Sequence, residues 1–410
     1  MAQPRTRVLP LISAALCSFI IGAFYMWSVF NAPLMAEHGW SAQEVSLAYS
    51  IYTFTLGMST LAGGWLQRTI LSRVLLTAGG MGFALAWILT SFATSLPMLY
   101  ICFGVLGGFC DGLVYNVAMS VATKWYPDKK GLANGICIGC AGLAPLLFAP
   151  LGNALIEAFD TSACFRICGS GFALAFIVAT RFAVAPPEGW APEGWTEDEG
   201  SPQHAARDYT TKEMLKTPLF YMLWAAFVMA ATSGLMMTGH AATIGQQLAG
   251  LSSSDAAVTV GVLAVASFTG RLGLGALSDK FGRFTMLGMS LAVTCVVMLV
   301  FFSSAHTFVS FSVVLFLVGV CFGGVMTVMP SICGDAFGLK NFGFNYAVLF
   351  SGYTVASFVG PSLAATVVTA TGSYDLAFTV AGVLAAIGLA FLMVAVVLSK
   401  RMKTAPGEVR

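Results

Sequence analysis

Twelve apolar stretches, each long enough to cross a bilayer, recur along the chain and restrict it to one class of fold. They lie near 8–33, 44–66, 74–94, 97–123, 131–157, 164–185, 217–240, 256–278, 284–304, 308–330, 343–370 and 375–399. A spanning helix needs about 20 such residues. Only 9% of the 410 residues are charged, against about 25% in a soluble domain, so the chain cannot cover a soluble core. The fold class is therefore an all-α membrane protein of twelve transmembrane helices. The first run, after MAQPRTRVLP, ends at FNAPLM without a small-residue cleavage site. It reads as a retained first helix rather than a signal peptide.

Six runs precede and six follow a stretch of Pro, Gly and charge at 186–216, which reads as a solvated linker. The expected organisation is a bundle over 1–185, the linker 186–216, a second bundle over 217–400 and a tail over 401–410. With twelve spans both termini share a side, and 18 of the 20 Lys and Arg fall on it. The exceptions are Arg166, near the outer end of the sixth span, and Arg271. The outer loops carry Glu37, Glu44, Glu157, Asp160, Asp255 and Asp375. By the positive-inside rule both termini are cytoplasmic, which puts the chain in the inner (plasma) membrane. The spread of cations over many short segments gives no basic patch for nucleic acid.

The halves echo each other. GVLGGFCDG (104–112) answers GVCFGGVMT (319–327), and GCAGLAPLLFAPLG (139–152) answers SGYTVASFVGPSLA (351–364). Paired six-helix bundles are the plan of transporters whose substrate site lies near mid-membrane. At 275–283 the chain reads GALSDKFGR. Gly275 permits close helix approach, Asp279 can accept hydrogen bonds from a helix terminus, and Gly282 allows a tight turn. Lys280 and Arg283 add positive charge inside. This pattern resembles the gating loop of the major facilitator superfamily, which implies that fold. The first-half counterpart, GWLQRTILSR (64–73), has Arg68 in place of the acid and Leu71 in place of the glycine.

Four further segments carry a narrower resemblance: YMWSVFNAPL (25–34), KWYPDKKGLANGI (124–136), DYTTKEMLKTPLFYMLW (208–224) and NFGFNYAVLFSGY (341–353). Together they are similar to the oxalate/formate antiporter family, cousins of the monocarboxylate transporters. The resemblance implies that an arginine at the place of Arg271 binds a substrate carboxylate. It also implies a lysine on the eleventh span of oxalate exchangers, where this chain has Tyr353.

Two charges stand well inside spans, Arg271 in the eighth and Asp111 in the fourth. A charge at helix centre costs at least about 2.5–3.5 kcal/mol, so each is a functional candidate. The guanidinium of Arg271 matches a carboxylate with a planar fork of donors and stays charged. Asp111, the only embedded carboxyl in this reading, has three roles open. It can exchange a proton, pair with Arg271 between the halves, or bond locally beside Gly107, Gly108 and Gly112. Aromatic candidates for the pocket wall are Tyr25, Trp27, Tyr115, Tyr346, Phe350 and Tyr353. His240 reads as an interface residue rather than a proton relay.

A dianion facing a single buried cation is poorly compensated. The expected substrate is thus a small monocarboxylate such as formate, lactate or pyruvate, with an oxalate or other dicarboxylate exchanger as the alternative. The expected mechanism is alternating access by a monomer, as anion exchange or proton symport; the sequence leaves the partner ion, proton or counter-anion, open. No GxxxxGKS nucleotide loop occurs, no cofactor is expected, and no nucleophile–base pair recurs inside the spans, so an enzyme is not expected. A receptor on the same fold that senses without transporting would call for a larger cytoplasmic output domain. The cysteines, Cys137 and Cys140 of a CxxC included, lie in apolar runs and read as small hydrophobes. Neither a metal nor a disulfide is expected.

Overall fold

The structure is a computed structural model and describes residues 7–187, 190–192, 208–371 and 374–404. All regular structure among them is helical. We number the long helices in chain order. In the first half, α1 is Val8–Trp27 continued by Ser28–His38, α2 Ala42–Leu66, α3 Ser72–Thr90, α4 Leu96–Trp125, α5 Lys130–Ala158 and α6 Thr161–Phe182. In the second half, α7 is Pro218–Ala249, α8 Ser253–Phe281, α9 Arg283–Phe301, α10 Phe308–Phe337, α11 Phe342–Thr371 and α12 Asp375–Thr404. Eleven helices contain a stretch apolar and long enough to cross a membrane. The remaining one, α2, has 25 residues, but its Ser, Thr, Tyr and Gly content lowers its hydropathy.

The chain forms two compact units, one of residues 1–127 and 136–193, the other of 128–135 and 194–410. The first turns of α5 thus belong to the unit built mainly from the second half. The stretch 186–216, expected to be a solvated linker, is in part docked. Residues 188–189 and 193–207 lie outside the described part, but 208–216 are docked on the second unit. The Tyr209 amide donates to Phe337 O at 2.9 Å, and the Asn345 side-chain amide donates to Tyr209 O at 3.0 Å. Thr211 donates to Asn345 Oδ1 at 2.7 Å, and a Thr210–Glu213 capping box starts the short helix Thr211–Met214. The tail beyond Thr404 lies outside the described residues.

In lipid there is no hydrophobic drive between helices, and close packing at small residues takes its place. In the first unit α4 lies on α2 along Gly104, Gly108 and Gly112, which recur every four residues and so share one face. A Cβ on Gly108 would stand 2.4 Å from Tyr52 O, and one on Gly112 2.1 Å from Leu56 O. In the second unit α10 crosses α8 in the same way: a Cβ on Gly323 would stand 2.1 Å from Ser267 O. On the facing helix, one on Gly270 would stand 2.0 Å from Val320 O. Two helices depart from α geometry near these crossings. The chain tightens to a 3-10 turn over Gly22–Trp27 and widens to a π-helix over Tyr100–Gly107, which includes Gly104 of the α4 crossing.

These contacts separate glycines that the fold requires from those it tolerates. Gly323→Ala is expected to cost about 1–3 kcal/mol by overpacking, read as a fall in melting temperature of the detergent-purified protein. Gly273→Ala, where an added Cβ meets nothing within 4 Å, is expected to leave melting unchanged or raise it through better helix propensity.

Candidate functional site

Arg271 falls at the midpoint of the apolar stretch Gly261–Phe281 of α8 and is only 8% exposed. The backbone around it is fixed from two sides within the second unit. Gly323 of α10 abuts Ser267 O and Arg271 N, and a Cβ on Gly135, in the first turns of α5, would stand 2.4 Å from Arg271 O. One helical turn before Arg271, the hydroxyl of Ser267 is buried without a protein hydrogen-bond partner. Residues four apart share a helix face. Ser267 was not singled out from sequence, where a serine in an apolar run has no distinguishing mark.

The aromatic candidates of the second unit form a column on α11. Tyr346 stacks on Phe342 at 5.6 Å between ring centroids, Phe350 follows at 5.7 Å, and Phe350 stacks on Tyr353 at 5.0 Å. Phe227 of α7 backs Phe350 and Tyr353 at 6.3 and 6.4 Å. Tyr346 and Phe350 are buried and pack the bundle, while Tyr353 is half-buried. The side chain of His240 lies outside the described residues.

In the first unit, Asp111 sits at the middle of α4 and is 2% exposed. The Tyr52 hydroxyl of α2 donates to its Oδ2 at 2.5 Å, within the range of charge-assisted O–H···O⁻ bonds. Tyr52, absent from the candidates read from sequence, is 59 residues away in the chain, so no local pattern marks the pair. Its ring stacks on Phe24 at 5.0 Å and lies 4.8 Å from Phe103. Trp27 stacks on Phe103 at 4.1 Å and is buried, with no acceptor in the protein for its indole N–H. Tyr25 is exposed and leans on Phe24 at 3.9 Å, and Tyr115 is half-buried.

The GALSDKFGR loop carries the most elaborate polar network. Asp279 accepts the amides of Gly131 at 3.0 Å and Leu132 at 2.9 Å, the first turn of α5. Carboxylate at a helix N-terminus is favoured by the orphan amides and the helix dipole. Arg283 bonds Asp279, Ser278 at 3.0 Å and Asp335 at 3.1 Å, and Lys130 bonds Asp335 at 2.6 Å. Gly131 and Gly275 meet backbone to backbone, a Cβ on Gly131 standing 2.1 Å from Gly275 O. Gly282 adopts φ +95°, a region that favours glycine. The Lys280 ammonium lies 5.5 Å above the Phe281 ring.

This network corrects one sequence expectation, that Asp111 is the only embedded carboxyl. Lys130 and Arg283, counted among the inside cations, are buried, at 2% and 4% exposed. Asp335, 6% exposed, is a second buried carboxyl besides Asp111. It escaped notice because the tenth span was expected to end at 330, whereas α10 runs on to Phe337. In the first half, where Arg68 replaces the acid, a neutral bond between Gln67 and Asn116 at 2.7 Å joins α2 to α4 instead.

The profile of the Major Facilitator Superfamily matches residues 12–361 and 287–410. The chain belongs to the major facilitator superfamily. It is 34% identical over 355 residues, 86% of either chain, to the uncharacterized MFS-type transporter YhjX of Escherichia coli. It is 28% identical to the oxalate:formate antiporter of Oxalobacter formigenes, covering 93% of this chain and 89% of that one. To mouse monocarboxylate transporter 12 it is 28% identical over 79% of this chain and 71% of that one. The crystal structure of the transporter FucP in its outward conformation shares the fold, with TM-score 0.75 at 12% identity, covering 95% and 99%. This superfamily member is thus a multi-pass membrane transporter and not an enzyme.

Removing one partner of a buried ion pair costs about 3–5 kcal/mol when the other is left uncompensated, an upper bound here because Asp335 keeps its bond to Arg283. Lys130→Met in this transporter is therefore expected to lower its melting temperature sharply. Lys130→Met combined with Asp335→Leu removes both charges of that pair and is expected to recover part of the loss, measured by thermal unfolding in detergent.

Proposed function

We propose that the protein moves a small monocarboxylate across the inner membrane by alternating access, with both termini in the cytoplasm. The observation that carries this reading is Arg271, a cation held at the centre of an apolar span by glycine contacts on both sides. A guanidinium there is costly, and the cost is recovered when a carboxylate docks on its fork of donors. Ser267, one turn away with a buried unpartnered hydroxyl, offers a further hydrogen bond to the bound acid. Tyr353, at the end of the α11 column, presents a phenol where the resemblance implies a second cation in oxalate exchangers. One cation compensates one negative charge, which selects formate, lactate, pyruvate or a similar acid over a dianion.

Oxalate is the second reading, favoured by the name of the Oxalobacter formigenes relative. The ion network around Asp279 and Arg283 serves as the cytoplasmic gate, since it joins the α8–α9 turn to the start of α5. Counterflow in proteoliposomes with labelled formate, lactate, pyruvate and oxalate tests the assignment. Wild type is expected to exchange monocarboxylates in preference to oxalate. Arg271→Ala is expected to lose exchange by at least about a hundredfold, the loss of a charge-assisted bidentate contact worth about 3 kcal/mol. Tyr353→Lys is expected to shift preference toward oxalate. Normal exchange by Arg271→Ala removes the carboxylate-docking role.

A further inference from the structure

We infer that the seam between α3 and α6 is a phospholipid site, at which Arg73 and Arg181 hold the phosphate of an anionic phospholipid. The inference takes from the proposed orientation only the identity of the leaflet, the cytoplasmic one, and does not depend on which acid is carried.

The seam is closely built. The hydroxyls of Thr77 on α3 and Thr180 on α6 are hydrogen-bonded at 2.9 Å. A Cβ on Gly80 would stand 2.3 Å from the Phe176 ring, and one on Gly169 2.9 Å from Ala84 O. The order of these contacts makes the two helices antiparallel neighbours over most of their length. Arg73 lies one turn before Thr77 on the same face of α3, and Arg181 directly follows Thr180. The two arginines therefore stand on facing helices at one end of one seam. Arg181 is exposed and Arg73 half-buried.

An apolar strip runs from this end along the open side of the seam. Val74, Met81 and Leu85 are exposed and share one side of α3, and Ile177, one turn before Arg181, is exposed on α6. Both strips lie on the same side of the seam, because the sense of a right-handed helix reverses between antiparallel neighbours. At the far end Arg166, exposed on the Ile177 side of α6, lies with its guanidinium 5.9 Å above the Phe92 ring. From residue 73 to residue 92 the rise is about 28 Å, close to the hydrocarbon thickness of about 30 Å. The strip thus runs from one headgroup level to the other. Arg166, which departs from the positive-inside pattern, stands at the far level, where a long cationic side chain reaches the interface.

Charge selects the occupant. The end of the first unit that bears Arg73 and Arg181 also bears Arg7, Arg68 and Lys124. Among the described residues of this unit the acids are Glu37, Glu44, Asp111, Glu157 and Asp160, all at mid-span or toward the opposite end. An arginine stays charged whatever hydrogen bonds it makes. A phosphate is attracted to such an end, while the ammonium of a zwitterionic headgroup is repelled from it. The second half handles the same position differently: Arg283, which opens α9, is buried on Asp279 and Asp335. In the first half Arg68 replaces the acid, and Arg73 in the first turn of α3 stands on the α6 seam. A second copy of the chain is a poor occupant, since a two-fold pairing of this face sets Arg73 and Arg181 against their own copies.

The experiment uses the full-length protein, delipidated in detergent. Phosphatidylglycerol and phosphatidylethanolamine with the same acyl chains are offered in equal amounts, and bound lipid is counted by native mass spectrometry. Wild type is expected to retain phosphatidylglycerol over phosphatidylethanolamine by about fivefold or more. Arg73→Gln with Arg181→Gln is expected to bring that ratio close to one. Each single variant is expected to fall between and carries the test where the double variant does not fold. Arg68→Gln with Lys124→Gln removes the same charge from the same end but off the seam, and is expected to keep the preference. Phosphatidylglycerol is also expected to raise the melting temperature of wild type more than that of the Arg73→Gln, Arg181→Gln protein. Equal retention of the two lipids by wild type, or a preference that survives loss of both seam arginines, overturns the inference. Equal loss in the two double variants reveals attraction to net charge without a site and overturns it as well. A dimer that replaces bound lipid and is broken by Ile177→Arg assigns the face to a second copy instead. None of these readouts involves transport, so the substrate reading stands or falls separately.

Discussion

Backbone-to-backbone contact at glycine is the constraint on which the two units depend. Lipid offers helices no hydrophobic reward for meeting, so their association relies on the contact area gained when side chains are absent. Gly108 and Gly112 do this for α4 on α2, and Gly323 with Gly270 for α10 on α8. Each of these crossings also fixes a mid-span ionisable residue. The α4 crossing sets the distance from Tyr52 to Asp111, and the α10 crossing abuts the backbone at Arg271. One packing device, repeated in both halves, carries an acid in the first and a base in the second.

Charge is handled in two ways in these spans. Near the helix ends Lys130, Arg283, Asp279 and Asp335 neutralise one another, with Ser278 and two α5 amides taking up remaining bonding capacity. Such a network holds the turn between α8 and α9 and is complete without a ligand. At mid-span, by contrast, Arg271 and Asp111 occur on different helices of different units, each in a setting built by small and aromatic residues. A network of four buried charges near the helix ends is thereby distinguished from two mid-span ionisable residues that lie on separate helices.

Hydropathy sufficed for most of the fold because span length and low charge leave few alternatives. It was weakest at α2, whose Ser, Thr, Tyr and Gly content lowers its hydropathy although the helix packs closely on the glycines of α4. Arg271 and Asp111 were legible, since an isolated charge in an apolar run contrasts with its neighbours. Tyr52 was not, because its significance arises from a contact across 59 residues. Lys130 and Asp335 were missed for a different reason. Helix ends are poorly defined by composition, so charges belonging to buried first and last turns fell outside the expected spans. The docking of Tyr209 and Thr211 on Asn345 escaped notice in the same way, as the local signals there are those of a loop.

The placement of residues 128–135 with the second unit bears on how such chains can recombine. The polar stretch after α6 is the obvious seam for a chimera joining the first half of one relative to the second half of another. A seam there, however, brings Lys130 and the Gly131 and Leu132 amides from one parent to meet Asp335 and Asp279 from the other. Hybrids therefore inherit a compatibility requirement over eight residues far upstream of the junction. Grafting 128–135 along with the second half satisfies it, and makes that short insert, rather than the linker, the effective boundary of the module.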